Sequence, residues 1–278
     1  MEPPASDTRP KIKKGRKRAV TTGLILVFGA FAFIDWAIVP APDLTMRIQA
    51  AREALERARN DRIVTAELRE TALSLPDVEQ ADVRKALFIA KMLPLIAREN
   101  ARIRAQRQAV LNNPNPAQLN ALTLAYGLKP GRVDRTELLK HIDVVPESLV
   151  LAQAAIESAW GTSRFAREGN AFFGERTYDP KAPGIAPQRA SGFKVKSFPS
   201  ALLSVRSYMR TLNTHKAYAA LRDHRAARTR QGETPSGSEL ASHLEKYSEI
   251  GGAYIERILS TISVNRLEDF DGIQFNAH

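Results

Sequence analysis

Glu157 is the residue of this chain whose surroundings point most clearly to chemistry. It lies in Leu151–Gly161, a run of otherwise apolar or small residues. In a helix its neighbours on the same face include Gln153, Ala154 and Trp160, and no Lys or Arg is placed to pair with it. A carboxyl on an apolar face has a raised pKa, because burial disfavours the ionised form. Such a group can act as a general acid near neutral pH, although the same residue type is more often found on a solvated helix face.

The residues after Glu157 alternate turns with short regular segments. Trp160-Gly161 follows the predicted helix, and Gly169-Asn170-Ala171-Phe172-Phe173-Gly174 follows a few residues later. Glycine permits backbone turns that other residues resist. The pattern predicts a carboxylate near a helix C-terminus, then a tight turn, a short second helix and an aromatic–glycine corner.

These residues together resemble a known family signature. The run Gln153–Gly161, followed by Ser163, Ala166, Asn170, Phe173 and Gly174, is similar to the motif of the bacterial glucosaminidases of glycoside hydrolase family 73, in particular their Bax-like branch. The stretches Asp143–Leu149, Ser204–His215 and Tyr247–Tyr254 extend the similarity. It covers residues 143–267 and reaches weakly back to 85–106, and its specificity comes from several motifs occurring in the right order.

The resemblance implies a peptidoglycan hydrolase that cleaves the β-1,4 bond after N-acetylglucosamine, with Glu157 as the general acid. It also implies a lysozyme-like helical lobe beside a small β-hairpin lobe. The residues that it suggests for substrate binding are Tyr247, Tyr254, Trp160, Asn170 and Phe173.

Individual roles within this set have alternatives. Tyr254 begins an apolar helical stripe and fits a core position, so Tyr247 is the stronger candidate for a sugar contact. Trp160 suits packing and sugar stacking equally well, because its apolar face is large. Asn170 is expected to hold its turn through bonds from the side chain to the backbone.

The second catalytic group is not determined by the sequence. Glycosidases usually pair two carboxylates, but only Glu175 and Asp179 are acidic between Gly174 and Phe198. Glu175 is a possible second acid because it directly follows the corner. The alternatives are nucleophilic assistance by the substrate's N-acetyl group, or a single Glu performing both proton steps, as in lytic transglycosylases.

Composition excludes several other kinds of chemistry. The 278 residues include no Cys, and the five His do not have the spacing of metal ligands. There is no glycine-rich phosphate loop, so neither a metal nor another cofactor is expected. The net charge of +11 invites a nucleic-acid interpretation, but the Arg residues are scattered and no nucleic-acid module is recognisable. A basic surface also suits an anionic cell-wall polymer or anionic lipid.

The N-terminal residues have the layout of a membrane anchor. Residues 1–18 form a basic tail, and residues 19–39 are apolar apart from Asp35 near the outer end. An uncleaved transmembrane helix is favoured over a signal peptide, because prolines surround the only small-residue cleavage site. Since positive residues stay in the cytoplasm, we expect a single-pass inner-membrane protein with its catalytic domain in the periplasm.

The predicted architecture is α+β and mostly α. Residues 41–80 are expected to form an exposed helical linker, 81–142 a helical region packing on the catalytic domain, 143–267 the catalytic domain, and 268–278 a C-terminal tail. Long helices are predicted over 44–73 and 81–111, and shorter ones over 117–126, 135–142, 199–213, 238–246 and 253–264. A small β-hairpin lobe is predicted within 172–199.

Two other functions compete with the hydrolase. A non-catalytic scaffold that binds peptidoglycan would explain the uncertain second carboxylate, whereas the intact Glu157 and tyrosine motifs argue against it. Cleavage of amide bonds in peptidoglycan would need a metal or a nucleophile, and the sequence offers neither.

Overall fold

The computed structural model describes residues 43–65, 78–112, 115–131, 134–188, 192–245, 247 and 251–276. This part of the chain is mostly helical with two small sheets, which confirms the predicted α+β, mostly α class. The predicted basic tail (1–18) and membrane anchor (19–39) lie outside the described residues. Within the described ranges, no helix has both the length and the hydropathy needed to cross a bilayer.

The described part of the chain contains one long helix and several shorter helices, with five short strands. The helices are α1 (Leu44–Asp61), α2 (Ala81–Leu111), α3 (Pro116–Ala125), α4 (Arg135–His141), α5 (Glu147–Ser158), α6 (Arg164–Gly169), α7 (Ala201–Thr214), α8 (Ala219–Arg230), α9 (Gly237–Ala241) and α10 (Gly252–Val264). Short 3₁₀ turns cover Lys216–Tyr218 and Leu267–Phe270. The strands are β1 (Ile63–Thr65), β2 (Arg176–Thr177), β3 (Gly184–Ile185), β4 (Lys194–Lys196) and β5 (Gln274–Asn276).

Helix α2 forms the centre of the core, and its bounds agree with the predicted 81–111. Its apolar residues recur at helical spacing, and the stripe of Phe88, Met92, Leu95, Ile96, Ile103 and Val110 is buried. The helix packs against α1, α5 and α7. The helix that carries Glu157 is therefore supported from one side by the longest element of the fold.

The expected exposed linker over 41–80 is wrong for its described part. Helix α1 ends at Asp61, and its Ala51, Leu55 and Ala58 are buried against the core. Strand β1 follows it and pairs in parallel with β5, so that Ile63 lies opposite Gln274. A narrow stripe of mostly small residues is therefore enough to pack this charged helix against the apolar surface of α2.

The expected tail over 268–278 is also wrong as far as Asn276. Phe270 and Ile273 are fully buried, and β5 completes the sheet with β1. These residues therefore belong to the core. The prediction ended the domain at residue 267 because the family motifs end there, but the core continues past them.

The same C-terminal segment holds the beginning of α5. Asp271 accepts hydrogen bonds from the backbone N–H of Ser148 and from its hydroxyl, each at 2.7 Å. The buried Glu147 carboxyl accepts from Asn100 Nδ2 and from the Gly272 N–H, both at 2.8 Å. Burial raises the pKa of Glu147 to about 7, against the opposing effect of these hydrogen bonds. The start of the Glu157 helix is thus fixed by groups distant in sequence.

The predicted β-hairpin lobe is a three-stranded antiparallel sheet. Its strand order is β2–β4–β3, with Arg176 opposite Val195 and Gly184 opposite Lys196. The alternation of Phe193, Lys194, Val195 and Lys196 predicted the central strand. The lobe begins directly after the aromatic–glycine corner, so the corner joins it to the helical part.

Candidate active site

Glu157 occupies the last turn of α5 and is only half-buried. Burial raises the pKa of its carboxyl, and this effect exceeds the lowering caused by a hydrogen bond from Tyr254 and by the positive charge of Arg257. The sequence predicted the raised pKa and its cause. It did not reveal Arg257, because that residue comes from a helix one hundred positions later.

A chain of buried polar groups leads to this carboxyl. The Tyr208 hydroxyl donates to Gln153 Oε1, and Gln153 Nε2 donates to the Tyr254 oxygen over 3.1 Å. Tyr254 in turn donates to Glu157 Oε1 over 2.8 Å. Gln153, Tyr208 and Tyr254 are buried, so water does not compete for these bonds. Oε1 is therefore engaged as an acceptor, and a proton on this carboxyl would lie on Oε2.

The second carboxyl oxygen faces the aromatic–glycine corner. A Cβ atom on Gly174 would lie 3.3 Å from Glu157 Oε2, and the residue has a left-handed φ of +63°. Glycine is favoured here, because another residue would strain the backbone and its Cβ atom would press on the carboxyl oxygen. The absence of a side chain at Gly174 thus leaves space beside Glu157 Oε2.

Phe173 packs beneath the corner. Its buried ring stacks on Tyr208 with centroids 4.1 Å apart and an interplanar angle of 6°. The ring of Phe173 is therefore part of the core beneath the corner, and the expected contact of Phe173 with substrate stays a prediction.

The two C-terminal tyrosines have different positions from those expected. Tyr247, the stronger candidate for a sugar contact, donates to the Phe173 carbonyl over 2.9 Å and stacks on Tyr254 at 5.5 Å. Tyr254 fits the core as its apolar stripe suggested, yet its hydroxyl contacts Glu157. Tyr247 fixes the corner, and Tyr254 acts on the carboxyl; sugar binding by either one stays a prediction.

The turn after α5 is strained. Ala159, Trp160 and Gly161 have successive left-handed φ values of 52°, 58° and 78°, a conformation that costs energy in residues other than glycine. The partly exposed Trp160 ring meets Phe88 edge-on at 5.5 Å, and Lys85 Nζ lies 5.2 Å from its centroid. Trp160 therefore packs against Phe88 of the core while it keeps some exposed surface, and substrate stacking stays a prediction.

Asn170 connects the corner to the helical lobe. It has a left-handed φ of 50° at the end of α6, and its Nδ2 donates to the Phe198 carbonyl over 3.0 Å. This confirms the expected bond from its side chain to the backbone. A direct substrate contact by Asn170 stays a prediction.

Glu175, the possible second acid, is held by two partners. Its Oε2 accepts from Ser207 Oγ over 2.8 Å and from Lys196 Nζ over 3.1 Å. Only 13% of the side chain is exposed, and Oε1 is buried without a hydrogen-bond partner in the described part of the chain. Glu175 lies next to the corner, but its carboxylate is committed to an ion pair within the β-lobe.

Several contributors to the site were not assigned a role from the sequence. Gln153 and Tyr208 lie in the motif stretches, but their hydrogen-bond chain depends on how three helices pack. Among the described residues, no group of three or more His, Asp or Glu side chains has an arrangement that could hold a metal ion.

Comparison with known proteins gives the chain a family and one curated relative. A family model, Glucosaminidase, described as mannosyl-glycoprotein endo-beta-N-acetylglucosaminidase, matches residues 134–266. Protein bax of Escherichia coli (strain K12) is 31% identical over 196 residues, which cover 65% of this chain and 70% of that protein. No solved structure gives a significant match. The residues matched by the family model include Glu157, Gly174, Tyr247 and Tyr254.

Proposed function

The chain belongs to the Bax-like glucosaminidase family, and on that premise we propose that it hydrolyses β-1,4 glycosidic bonds in peptidoglycan glycan strands. The cleavage is of the N-acetylglucosaminidase type, with Glu157 as the general acid. The observation that supports this proposal is the environment of the Glu157 carboxyl. Burial raises its pKa, and its Oε2 faces Gly174, which has no side chain.

The chemistry follows from the two carboxyl oxygens. Protonated Oε2 donates to the glycosidic oxygen as the bond to the anomeric carbon breaks, which leaves Glu157 ionised. Tyr254 then stabilises the new negative charge through its hydrogen bond to Oε1. The same bond orients the carboxyl throughout the reaction.

For the second half of the reaction we favour a single protein acid. The ion pair of Glu175 with Lys196 and its bond to Ser207 support this choice, because a carboxylate held by two donors is a poor base. In this scheme the N-acetyl oxygen of the substrate attacks the anomeric carbon as the glycosidic bond breaks, which forms a cyclic oxazolinium ion. The ionised Glu157 then deprotonates the water that opens this ring. An intramolecular attack by the sugar's own 6-hydroxyl, as in lytic transglycosylases, uses the same single Glu.

We also propose that the enzyme acts from the membrane surface. The basic residues 1–18 and the apolar residues 19–39 support a single-pass anchor with the catalytic domain in the periplasm. A reporter active only in the periplasm, fused after His278, should be active. Activity of a cytoplasm-only reporter at the same position would overturn the topology.

The decisive experiment replaces Glu157 with Gln and follows digestion of purified peptidoglycan. The variant should keep its fold and lose activity by a factor of about 10²–10⁴, because shape is kept and the transferable proton is lost. Glu53→Gln, which changes an exposed carboxyl on α1 away from the site, is the matched control and should retain activity.

Mass spectrometry of the wild-type products distinguishes the chemistries. Reducing N-acetylglucosamine ends support hydrolysis, and anhydro-muramic ends indicate the transglycosylase alternative. Intact glycan with clipped peptides, or no cleavage at all, would overturn the proposed function.

A further inference from the structure

A groove of about 680 Å³ runs between the end of α5 and helix α10, beside the proposed catalytic residue. Its lining includes Ile156, which precedes Glu157, and Trp160, which lies three residues after it. Glu157 itself does not line the groove. From α10 it is lined by Glu256, Arg257 and Ser260, among others. A ligand in this groove would therefore lie against the residues on either side of the acid.

Arg257 is the distinctive group on the α10 wall. Its side chain is exposed, and among the described residues its guanidinium has no hydrogen-bond or ion-pair partner. It lies one helical turn after Tyr254, and its charge is close enough to lower the pKa of Glu157. An unpaired guanidinium at the rim of an active site is suited to bind a carboxylate, because its planar N–H groups match the two oxygens.

Trp160 forms the opposite wall. Its ring is partly exposed at the groove, and it lies in the turn Ala159–Gly161, whose residues all have left-handed φ values. Lys85 lies over the same ring and adds a second positive charge near this end of the groove. Glu256 is the acidic residue in the lining, and it is exposed to solvent. An aromatic face with cations beside it suits a sugar that carries an acidic substituent.

We propose that this groove binds a carboxylate-bearing sugar of the glycan strand, with the sugar on Trp160 and the carboxylate on Arg257. The inference rests on the proposed function and specifies its substrate class. The enzyme prefers glycan whose alternate sugars carry a free acid over the corresponding neutral glycan. Arg257 is then a specificity-determining residue, separate from the proton transfer by Glu157.

The test uses one glycan in two charge states. Peptide-free peptidoglycan strands keep the carboxyl of each muramic residue, and coupling to ammonia converts it into a neutral amide of nearly the same shape. For the detergent-solubilised full-length protein, Arg257→Gln should lower kcat/KM on the acid strands about fivefold, the upper range for an exposed ion pair. The ratio of kcat/KM on the acid strands to kcat/KM on the amidated strands should therefore fall about fivefold relative to wild type.

Two variants serve as controls. Arg257→Lys keeps the charge and should restore most of the preference for the acid strands. Arg230→Gln removes an exposed arginine at the end of α8 and should change neither substrate. Any effect of Arg257 on the pKa of Glu157 affects both substrates equally, so the ratio of the two kcat/KM values isolates recognition of the carboxylate.

Binding separates this inference from the proposed function. In the Glu157→Gln background, the acid strands should bind more tightly than the amidated strands, and Arg257→Gln should abolish the difference. That result without cleavage by the wild-type protein would support the groove and overturn the hydrolase. Cleavage by the wild type combined with equal effects of Arg257→Gln on both strands would overturn the groove alone.

Discussion

Replacing Tyr254 with Phe tests the link between the buried hydrogen-bond chain and the acid. The substitution removes the hydroxyl that donates to Glu157 Oε1 over 2.8 Å and keeps the ring that stacks on Tyr247. The lost hydrogen bond favours the ionised carboxyl, so its removal raises the pKa of Glu157 further. A general acid works only while it is protonated, and activity falls as the pH rises through its pKa.

The magnitude follows from the exposure of the carboxyl. A hydrogen bond to a charged group contributes about 1.5–3 kcal/mol to stability. Glu157 is half-buried, so water recovers part of this in the variant. We therefore take the net preference of this hydrogen bond for the ionised carboxyl as about 1.4 kcal/mol, which corresponds to a tenfold change in the protonation equilibrium of Glu157. The alkaline limb of the profile of kcat/KM against pH should therefore move upward by about one pH unit.

Tyr247→Phe is the matched control for this measurement. Its hydroxyl donates to the Phe173 carbonyl and does not contact Glu157. Each variant leaves one buried polar group unpaired, Gln153 Nε2 in the first and the Phe173 carbonyl in the second, and each should lose about 1–3 kcal/mol of stability. Only Tyr254→Phe should shift the alkaline limb. An unmoved limb, or equal shifts in both variants, would refute the assignment of Tyr254 to the acid.

Three further substitutions have separate expectations. Gly174→Ala should lose about 1 kcal/mol of stability because of its left-handed φ, and turnover should fall at least tenfold because the new Cβ atom crowds Glu157 Oε2. Gly192→Ala, at a residue with a φ of +64° and open space around it, should lose stability but keep its turnover. Similar turnover in the two variants would contradict the crowding. Glu175→Gln should reduce digestion of peptidoglycan less than fivefold, and a loss near that of Glu157→Gln would make Glu175 catalytic. Burial raises the pKa of Glu147 to about 7 from an ordinary 4.5, so the folded state binds more protons than the unfolded state between these values. The free energy of unfolding should therefore fall by about 3 kcal/mol as the pH rises through this range. Denaturation at pH 5 and pH 8 should show this decrease in the wild type and a smaller one in Glu147→Gln.

The sequence predicted those parts of the fold that depend on local periodicity. Helix α2 was predictable because its long apolar stripe has a helical period, and α10 because of its shorter stripe. The half-buried carboxyl of Glu157 was predictable for the same reason, since its neighbours along α5 are apolar or small. In each case the signal lies within one element.

Helix α8 shows why other elements escaped prediction. Its sequence is rich in Arg, which ordinarily indicates a solvated face, yet Arg222 and Arg225 are buried. Arg225 donates to the Val144 and Lys140 carbonyls and to Asn213 Oδ1. A buried guanidinium is tolerated only with such partners, and these partners come from other elements of the fold. No period within α8 can therefore reveal its burial.

The active-site chain combines both kinds of information. In the structure the Tyr208 hydroxyl donates to Gln153 Oε1, and the same amide presents its N–H group to Tyr254. Tyr254 accepts that hydrogen and gives its own proton to Glu157 Oε1. With the amide reversed, Tyr254 would donate to Gln153, and Glu157 Oε1 would be free to carry the acid proton on the wrong side. In the proposed mechanism, the orientation of one buried amide therefore leaves the oxygen beside Gly174 as the one that carries the proton.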